Sequence, residues 1–556
     1  MGKLRLSVGL LVFILSASVA AVLRGGPDSV PWGRFLLLAA GNLVQQVDEL
    51  ATRGEAREEP DGQADAGLTL THGVAVGDVT ASTAVVWTRA SGRAFVHVEY
   101  QGGSMARPLL APAVFVSEAS DYTAAVRLDG LEPHTLYTYE VWMERLRERP
   151  ERIVSEGGAG SFRTALSPDA AAPVAFVFGG DLGGGGYCRK PTSGYAIFGA
   201  MRDLAPDFFV ASGDMIYADN SCPSLDPDGS PNIPGGFLSV ASARVDWNRP
   251  DEVREVYWQH WRYNRGDRQL QQLLRTTPMY AQWDDHEIIN DGGAGWSYWN
   301  PLRAGRTGFS NLARAARDAF FAYSAIDLDR ADQDRIYRRF GWGKHFDLFR
   351  LDVRSFRSRN EVPDTPENQK TMLGREQLAW LKAELGASMA TWKVVSSGVP
   401  LALPTGGFGA AVLGRDGWAN GTSWDFSSQT GFERELLDLF RYLDDHGVTN
   451  VVFLSGDAHL AMSVRYAIDV NGDGQPLVFH ELAAGPLSAA TNRGETALDP
   501  TLNPTVLYRE SGFFNFGYAR VEEGLDGATA LVADVRGEDG QPRPGSVLRL
   551  RGAGPD

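Results

Sequence analysis

Four stretches of the chain share one format: an apolar run that stops abruptly on residues carrying Asp or His. Phe208 to Asn220 reads FFVASGDMIYADN, so the run ends on Gly213 and delivers Asp214 and Tyr217 into a tight loop. AFVFGGDLGGGGYCRK (175–190) does the same for Asp181, PMYAQWDDHEIINDGG (278–293) for Asp284, Asp285 and His286, and NVVFLSGDAHL (450–460) for Asp457 and His459. Short continuous apolar runs bounded by turn signals read as strands covered on both faces, the pattern of a mostly parallel sheet. In such sheets ligands gather outside the carboxyl ends of the strands, where helix N-termini face anions. One Gly-Asp dipeptide is ordinary turn chemistry. Four in one format restrict the chain to an α/β fold that can bring the four tips to one place.

Hard and borderline cations take carboxylate, imidazole and phenolate ligands. Two of them about 3.5–4 Å apart share at least one ligand, and Asp214, on the central motif, is the candidate for that shared carboxylate. Gly179, Gly180 and Gly183 to Gly186 let backbone amides approach an anion with no Cβ in the way.

The 556 residues exceed one ordinary domain and indicate two plus appendages. Apolar content of 43% with 22% charged residues is a globular composition. The formal charge of −16 excludes bulk nucleic-acid binding, which needs excess Lys and Arg; an anionic substrate has to be attracted locally. Met1–Leu23 has the form of an export signal, with Lys3 and Arg5 ahead of an uncharged run from Leu6 to Leu23 and a small-x-small site near Ser18-Val19-Ala20. The expected location is secreted or periplasmic; uncleaved, residues 6–23 are long enough to stay as a membrane anchor. Residues 24–67 form an N-terminal segment and linker, amphipathic over Val30–Leu50 and polar from Ala51.

From Leu68 the hydrophobic period changes to two, and 68–166 reads as a small β-sandwich beside a catalytic domain at 173–540. GLEPHTLYTYEV resembles the tyrosine-corner strand of fibronectin type III-like sandwiches, with Tyr137 or Tyr139 as the corner. His72, His97 and His134 are read as structural, as are His260, His345, His446 and His480. The Pro/Gly/Ser-rich stretch Ser221–Trp247 is a long loop expected to wall the pocket. DEVREVYWQHWRYN, GREQLAWLKAELGAS (374–388) and GFERELLDLFRYLDDHG (431–447) have helical patterning, the last stopped by Gly447. Trp258, Trp261 and Tyr263 are expected in the core. LDVRSF (351–356) and TWKVVSSGVPL (391–401) read as strands.

Taken together, GDLG at Asp181, GDMIYAD at Asp214 and Tyr217, WDDHE at Asp285-His286-Glu287 and SGDAH at Asp457 and His459 resemble the calcineurin-like metallophosphoesterases. More narrowly they resemble the alkaline phosphatase D (PhoD-like) family. WDDHE and SGDAH are specific to that branch, GDLG and GDxxY are shared with purple acid phosphatases, HELAAGPLSAA (480–490) is similar to a family segment, and the likeness runs from about Leu68 to the C-terminal region. The resemblance implies an α/β (α+β) metallophosphoesterase sandwich and hydrolysis of phosphate mono- or diesters through a metal-bridging hydroxide. It implies one metal on Asp181, Asp214, Tyr217 and His459, where relatives often hold Fe³⁺, and a second on Asp214, Asp285 and Asp457, with Asn290 as a further oxygen donor. Carboxylates at the second position favour Ca²⁺, Mn²⁺ or Mg²⁺. His286 is the candidate general acid, Glu287 an orienting group, and Arg189, with Lys190, a candidate for the phosphate oxygens. Substrates implied are small phosphate esters or lipid headgroups in a phospholipase D-like reaction; a non-catalytic surface protein with a structural metal is the other reading.

Cys188 and Cys222 lie seven residues after Asp181 and eight after Asp214. If those strands are parallel neighbours, both cysteines leave the same sheet edge, and an exported chain is expected to join them. The alternative is a thiolate ligand, as some relatives place a cysteine at the first ligand position; here Asp181 occupies it.

Overall fold

The computed structural model describes residues 67–145, 151–240, 245–293, 309–328, 335–406, 414–421, 431–492, 496–524 and 527–552. The expectations for 1–23 and nearly all of 24–67 lie outside them. Leu68–Asp556 is one compact unit.

Two mixed sheets carry the architecture. In the first, nine strands run in the spatial order Leu548–Arg551, Thr529–Arg536, Phe516–Glu523, Val174–Gly179, Phe208–Ala211, Met279–Ala281, Leu70–Gly77, Thr83–Ala90, Thr123–Asp129. In the second, seven strands run Arg338–Gly341, Phe346–Arg350, Trp392–Gly398, Val451–Ser455, Leu477–Ala483, Ala461–Ile468, Pro504–Glu510. At the centre of the first sheet the Phe208 strand is parallel to both neighbours, with Ala211 level with Gly179 and with Ala281. In the second, Ser455 is level with Gly398 and Ala483, again parallel. Three strand ends of one sheet and one of the other therefore finish at their carboxyl edges, as the motifs require.

The apolar runs are continuous because both faces are covered. Phe208 and Val210 pack between the sheets with Phe176, Tyr280, Trp392, Val452 and Leu454. Phe209 and Ala211 face outward into a core shared with the helices Pro250–Arg265, Arg268–Leu274 and Phe309–Tyr323. Gly374–Ala387 and Glu433–Asp445 cover the second sheet's outer face through Leu381, Leu385, Leu436 and Phe440. All three helices expected from patterning are present, and Gly447 sits at φ +60° just past the last of them. Trp258 and Trp261 are buried, Trp261 stacking on Tyr323 with centroids 6.0 Å apart.

Strands of the 68–166 segment form a sandwich with its own core, Val74, Val86, Val96, Val126, Tyr137 and Val141 among it. Its two layers are shared differently from the expectation of a module lying alongside. Leu70–Gly77, Thr83–Ala90 and Thr123–Asp129 extend the nine-stranded sheet, Gly77 pairing with Met279, while Ala94–Gly102, Leu136–Glu144 and Arg152–Arg163 belong to a separate five-stranded sheet. Tyr137 is the corner: its hydroxyl accepts from the Glu132 N–H (2.8 Å), five residues upstream. Tyr139 instead donates to the Arg275 carbonyl (3.0 Å), tying the five-stranded layer to the rest. Asp78 ends the first strand fully buried between Arg338 and Arg350, each donating to it at 2.7 Å.

LDVRSF does not continue as a strand. The strand stops at Arg350, and Asp352 Oδ1 accepts from the N–H groups of Arg354 (3.2 Å) and Ser355 (2.9 Å), turning the chain toward the first sheet's tips.

Candidate metal centre

The strand tips meet because glycines let backbones touch. A Cβ on Gly180 would lie 2.5 Å from the Gly213 carbonyl oxygen, and one on Gly213 would lie 2.5 Å from the Asp284 Cβ. Asp181, Asp214, Asp457 and His459 follow their strands in left-handed conformation, with φ between +51° and +66°. Non-glycine residues pay about 1–3 kcal/mol for such backbone, and it persists where the surroundings over-determine it.

On one side, three side chains from three tips converge. The Tyr217 hydroxyl donates to Asp181 Oδ1 (3.2 Å) and lies 2.8 Å from His459 Nε2, which is itself 3.3 Å from Asp181 Oδ1. His459 Nδ1 bonds the Ala490 carbonyl, which can only accept, so Nδ1 carries the proton and Nε2 is left for a ligand. The 480–490 segment thereby gains a role: it orients His459, and its Ser488 carbonyl receives the Gly183 N–H at 2.6 Å. Gly184 is glycine for Tyr217's sake, since a Cβ there would sit 2.5 Å from the phenol ring.

On the other side, single atoms of Asp214, Asp285 and His286 lie within 4.8 Å of one another, as do atoms of Asp284, Asp285 and Asp457. Asp214 and Asp285 are fully buried. Glu287 orients this half as expected, accepting from the N–H groups of Asp214 (2.9 Å), Met215 (2.7 Å) and Asp284 (2.7 Å).

The electrostatics identify what the site lacks. Asp181 Oδ2, Asp214 Oδ2, Asp284 Oδ2, Asp285 Oδ1 and Asp457 Oδ2 are buried and, among the described residues, have no hydrogen-bond partner. Burial, then Asp285, Asp284, Glu287 and Asp181, push the Asp214 carboxyl well above the usual carboxylate range; burial and then Asp285 raise Asp457. Burial opposes the charged form of His459, yet Asp181 outweighs it and raises that imidazole too. Desolvated negative charge in this excess, on oxygen and imidazole donors, fits divalent or trivalent cations, which would invert these shifts.

Three neighbours of the centre, Asp219, Arg354 and Asp416, were missed in the sequence. Asp219 Oδ1 holds His286 Nδ1 at 2.7 Å, leaving Nε2 as the ring's free nitrogen. Burial works against the imidazolium at His286, but Asp219 and then Asp285 push it up to about 10. Arg354, fully buried, bonds Asp284 through Nε and Asp416 through Nη1 (2.8 Å) and Nη2 (2.7 Å). Although burial works against it, Arg354 and Arg357 hold the Asp416 carboxyl below its usual range. Asp416 lies in an irregular segment and Arg354 in an apparent strand, so neither had a signal; Asp219 stood two residues from Tyr217 and could have been singled out.

Two expectations change. Arg189 is not placed on the centre: its guanidinium donates to the carbonyls of Tyr263 (2.9 Å) and Gly266 (2.8 Å) and lies over the Tyr263 ring, while Lys190 bonds Asp226 (2.5 Å) and Asn232 (2.9 Å). Satisfying a helix C-terminus is the stronger demand on a half-buried guanidinium. Asn290 enters through its backbone, whose N–H donates to Asp219 Oδ2 at 3.0 Å. Cys188 and Cys222 are joined by a disulfide, with Cα atoms 5.8 Å apart, so neither is a thiolate ligand.

Comparisons with known proteins bear on the family and the fold. A family model described as "PhoD-like phosphatase" matches residues 182–529, and one described as "PhoD-like phosphatase, N-terminal domain" matches 55–166. Alkaline phosphatase D of Bacillus subtilis (strain 168) is 24% identical over 470 residues, covering 77% of this chain and 71% of that protein. A solved PhoD structure superposes with a TM-score of 0.63 at 18% identity, over 89% of this chain and 94% of that one. Purple acid phosphatase PPD1 from yellow lupin superposes with a TM-score of 0.54 at 13% identity, over 87% and 74%. The fold is thus the metallophosphoesterase sandwich that the motifs implied, and the chain belongs to the PhoD-like phosphatase family.

Proposed function

We propose that this protein is a metal-dependent hydrolase of phosphoric esters. The observation that carries the reading is the set of five buried carboxylate oxygens, on Asp181, Asp214, Asp284, Asp285 and Asp457, that accept no hydrogen bond among the described residues. Asp181, Tyr217 and His459 would hold one cation, Asp285 and Asp457 a second, and Asp214 would belong to both. A phenolate suits Fe³⁺ at the first position, and carboxylates suit Ca²⁺, Mn²⁺ or Mg²⁺ at the second. When bound, the cations would supply Lewis acidity for the phosphoryl oxygens and would activate a water.

The chain's own residues do the rest. His286, fixed by Asp219 and stacked on Tyr217 at 3.9 Å, has its imidazolium supported by the Asp219 carboxylate and stands partly exposed, placed to give a proton to the leaving alkoxide. Arg354 neutralises the carboxylates beneath the site without facing solvent. His286 and His459 keep 11% and 21% of their side chains exposed, which favours a solvent-accessible centre over the closed shell of a structural metal. Export through residues 1–23 belongs to the same reading; among the described residues no helix is long and apolar enough to cross a membrane.

The test is metal content together with turnover of p-nitrophenyl phosphate, bis-p-nitrophenyl phosphate and phosphatidylcholine vesicles, for wild type and Asp214→Asn. Metal-dependent hydrolysis of the first or second, lost with metal in the variant, is expected. Turnover of the vesicles alone would move the reading to lipid headgroups, and full activity in Asp214→Asn would refute it.

A further inference from the structure

The two aspartates on which both cation positions depend sit on separate loops, and something must set their spacing. Asp181 and Asp214 each turn left-handed, so the carbonyls of the next residues, Leu182 and Met215, leave the sheet; among the described residues no backbone N–H reaches either one. One side chain serves both. Asn264 Nδ2 donates to the Met215 carbonyl (2.8 Å) and to the Leu182 carbonyl (3.3 Å), and its Oδ1 accepts from the Tyr195 hydroxyl (2.8 Å). Two acceptors on the nitrogen and a donor on the oxygen fix which end of the amide is which.

We propose that Asn264 is the positioning residue that fixes the separation of Asp181 and Asp214, and so sets the affinity of the centre for its cations. The inference rests on the cluster being a metal centre. Asn264 is 5% exposed and lies in the last turn of the Pro250–Arg265 helix, which Val253, Tyr257, Trp258 and Trp261 bury against the first sheet. It therefore presents its amide from a rigid support. From the opposite side Glu287 grips the Met215 and Asp214 N–H groups, and Leu182 N–H donates to the Asp214 carbonyl at 2.7 Å. Met215 is thus held at both its N–H and its carbonyl. The loops are joined by the Leu182 N–H on the Asp214 carbonyl and by the Asn264 amide, which among the described residues is the one group that bonds the Leu182 and Met215 carbonyls together. Without the amide two buried carbonyls lose their donor, and the mutual repulsion of the carboxylates drives the loops apart. A cation pair that needs a spacing of about 3.5–4 Å then loses its shared ligand geometry. Asn264 would act on binding and not on proton transfer, since it touches neither His286 nor the rim.

The test is the affinity of the chelator-stripped full chain for Mn²⁺ alone, measured by competition with a metal-sensing dye. Asn264→Ala is expected to bind about 10–100-fold more weakly, the range found when the partners of metal ligands are removed, and excess Mn²⁺ should restore turnover. Val253→Ala, on the same helix and remote from both loops, should lower the melting temperature with affinity unchanged. Wild-type affinity in Asn264→Ala overturns the proposal. If that variant does not fold, Tyr195→Phe decides, because it removes only the hydroxyl that orients the amide: weaker binding supports the proposal and unchanged binding overturns it. A wild-type chain that takes up no cation refutes the metal centre itself and this inference with it, a result visible without any variant.

Discussion

The Tyr217 hydroxyl lies 2.8 Å from His459 Nε2, although 242 residues separate them and they sit on the tips of two different sheets. Asp181 Oδ1, on a third tip, is within 3.3 Å of both. Atoms of that type at that spacing repel or share protons unless a cation stands between them. Tyr217→Phe keeps the ring that packs on Gly184 and His286 and removes the oxygen alone. It should lower the metal stoichiometry after dialysis against chelator and reduce kcat/KM by at least about 10-fold, a floor set by the cost of losing even an outer partner of a metal ligand. Unchanged stoichiometry and rate would remove Tyr217 from the ligand set.

The Asp219–His286 pair makes a second prediction. Removing a general acid costs typically about 10²–10⁴-fold in rate, and the cost depends on how much the leaving group needs the proton. Asp219→Asn keeps the side chain's size and an oxygen that can accept from Nδ1–H, but removes the charge that supports the imidazolium. An alkyl phosphate, which leaves as a strong base, should lose most of that factor. p-Nitrophenyl phosphate, whose leaving group is a weak base, should lose far less. Equal losses on both substrates would mean that Asp219 only supports the loop.

How much of this was written in the sequence follows from what each residue does. Asp181, Asp214, Asp285 and Asp457 were legible because a strand buried on both faces must be apolar up to its end, so a carboxylate at the tip stands out. His459 and Tyr217 followed from their spacing to those tips. Arg354 was hidden for the opposite reason: LDVRSF alternates as a strand does, and only the Asp352 turn bends it inward. Arg189 misled because a basic residue after a glycine loop suits phosphate and suits a helix C-terminus equally well, and only packing decides between them. The N-terminal sandwich was read correctly as β-structure, while the pairing of Gly77 with Met279 is long-range and leaves no local periodicity to read.

Asp78 shows where the two parts of the molecule are held. Its carboxylate is fully buried and receives Arg338, Arg350 and the Asp327 N–H. Breaking a buried ion pair from one side costs about 3–5 kcal/mol because a charge stays behind without its counter-ion, and here two guanidinium groups would each lose a carboxylate at once. Asp78→Ala should therefore lower stability by at least that range in urea titration of the metal-loaded protein. A loss below about 1 kcal/mol, the worth of a surface pair, would show that water reaches the arginines.

Two histidines far from the centre give the fold a pH dependence whose sign can be worked out. His72 Nε2 donates to the Arg262 carbonyl (3.1 Å), and burial, then Arg89, lower its pKa from 6.5 to about 4. Burial, then Arg465, lower His480 from 6.5 to about 4 as well. Both rings stay neutral in the fold where the unfolded chain takes up a proton, so the unfolded state binds more protons between pH 6.5 and 4 and stability rises with pH in that window. Each tenfold drop in a ring's proton affinity is worth about 1.4 kcal/mol. Solvent screening of partly exposed rings reduces this, leaving about 1 kcal/mol per histidine lost between pH 7 and 5. The centre is common to wild type and variant, so the difference between them isolates the histidines. His72→Gln with His480→Gln keeps donors at both positions and cannot be protonated. The double variant should hold its urea midpoint between pH 7 and 5 better than wild type by an amount equivalent to about 2 kcal/mol, and parallel midpoint curves would place the acid sensitivity elsewhere.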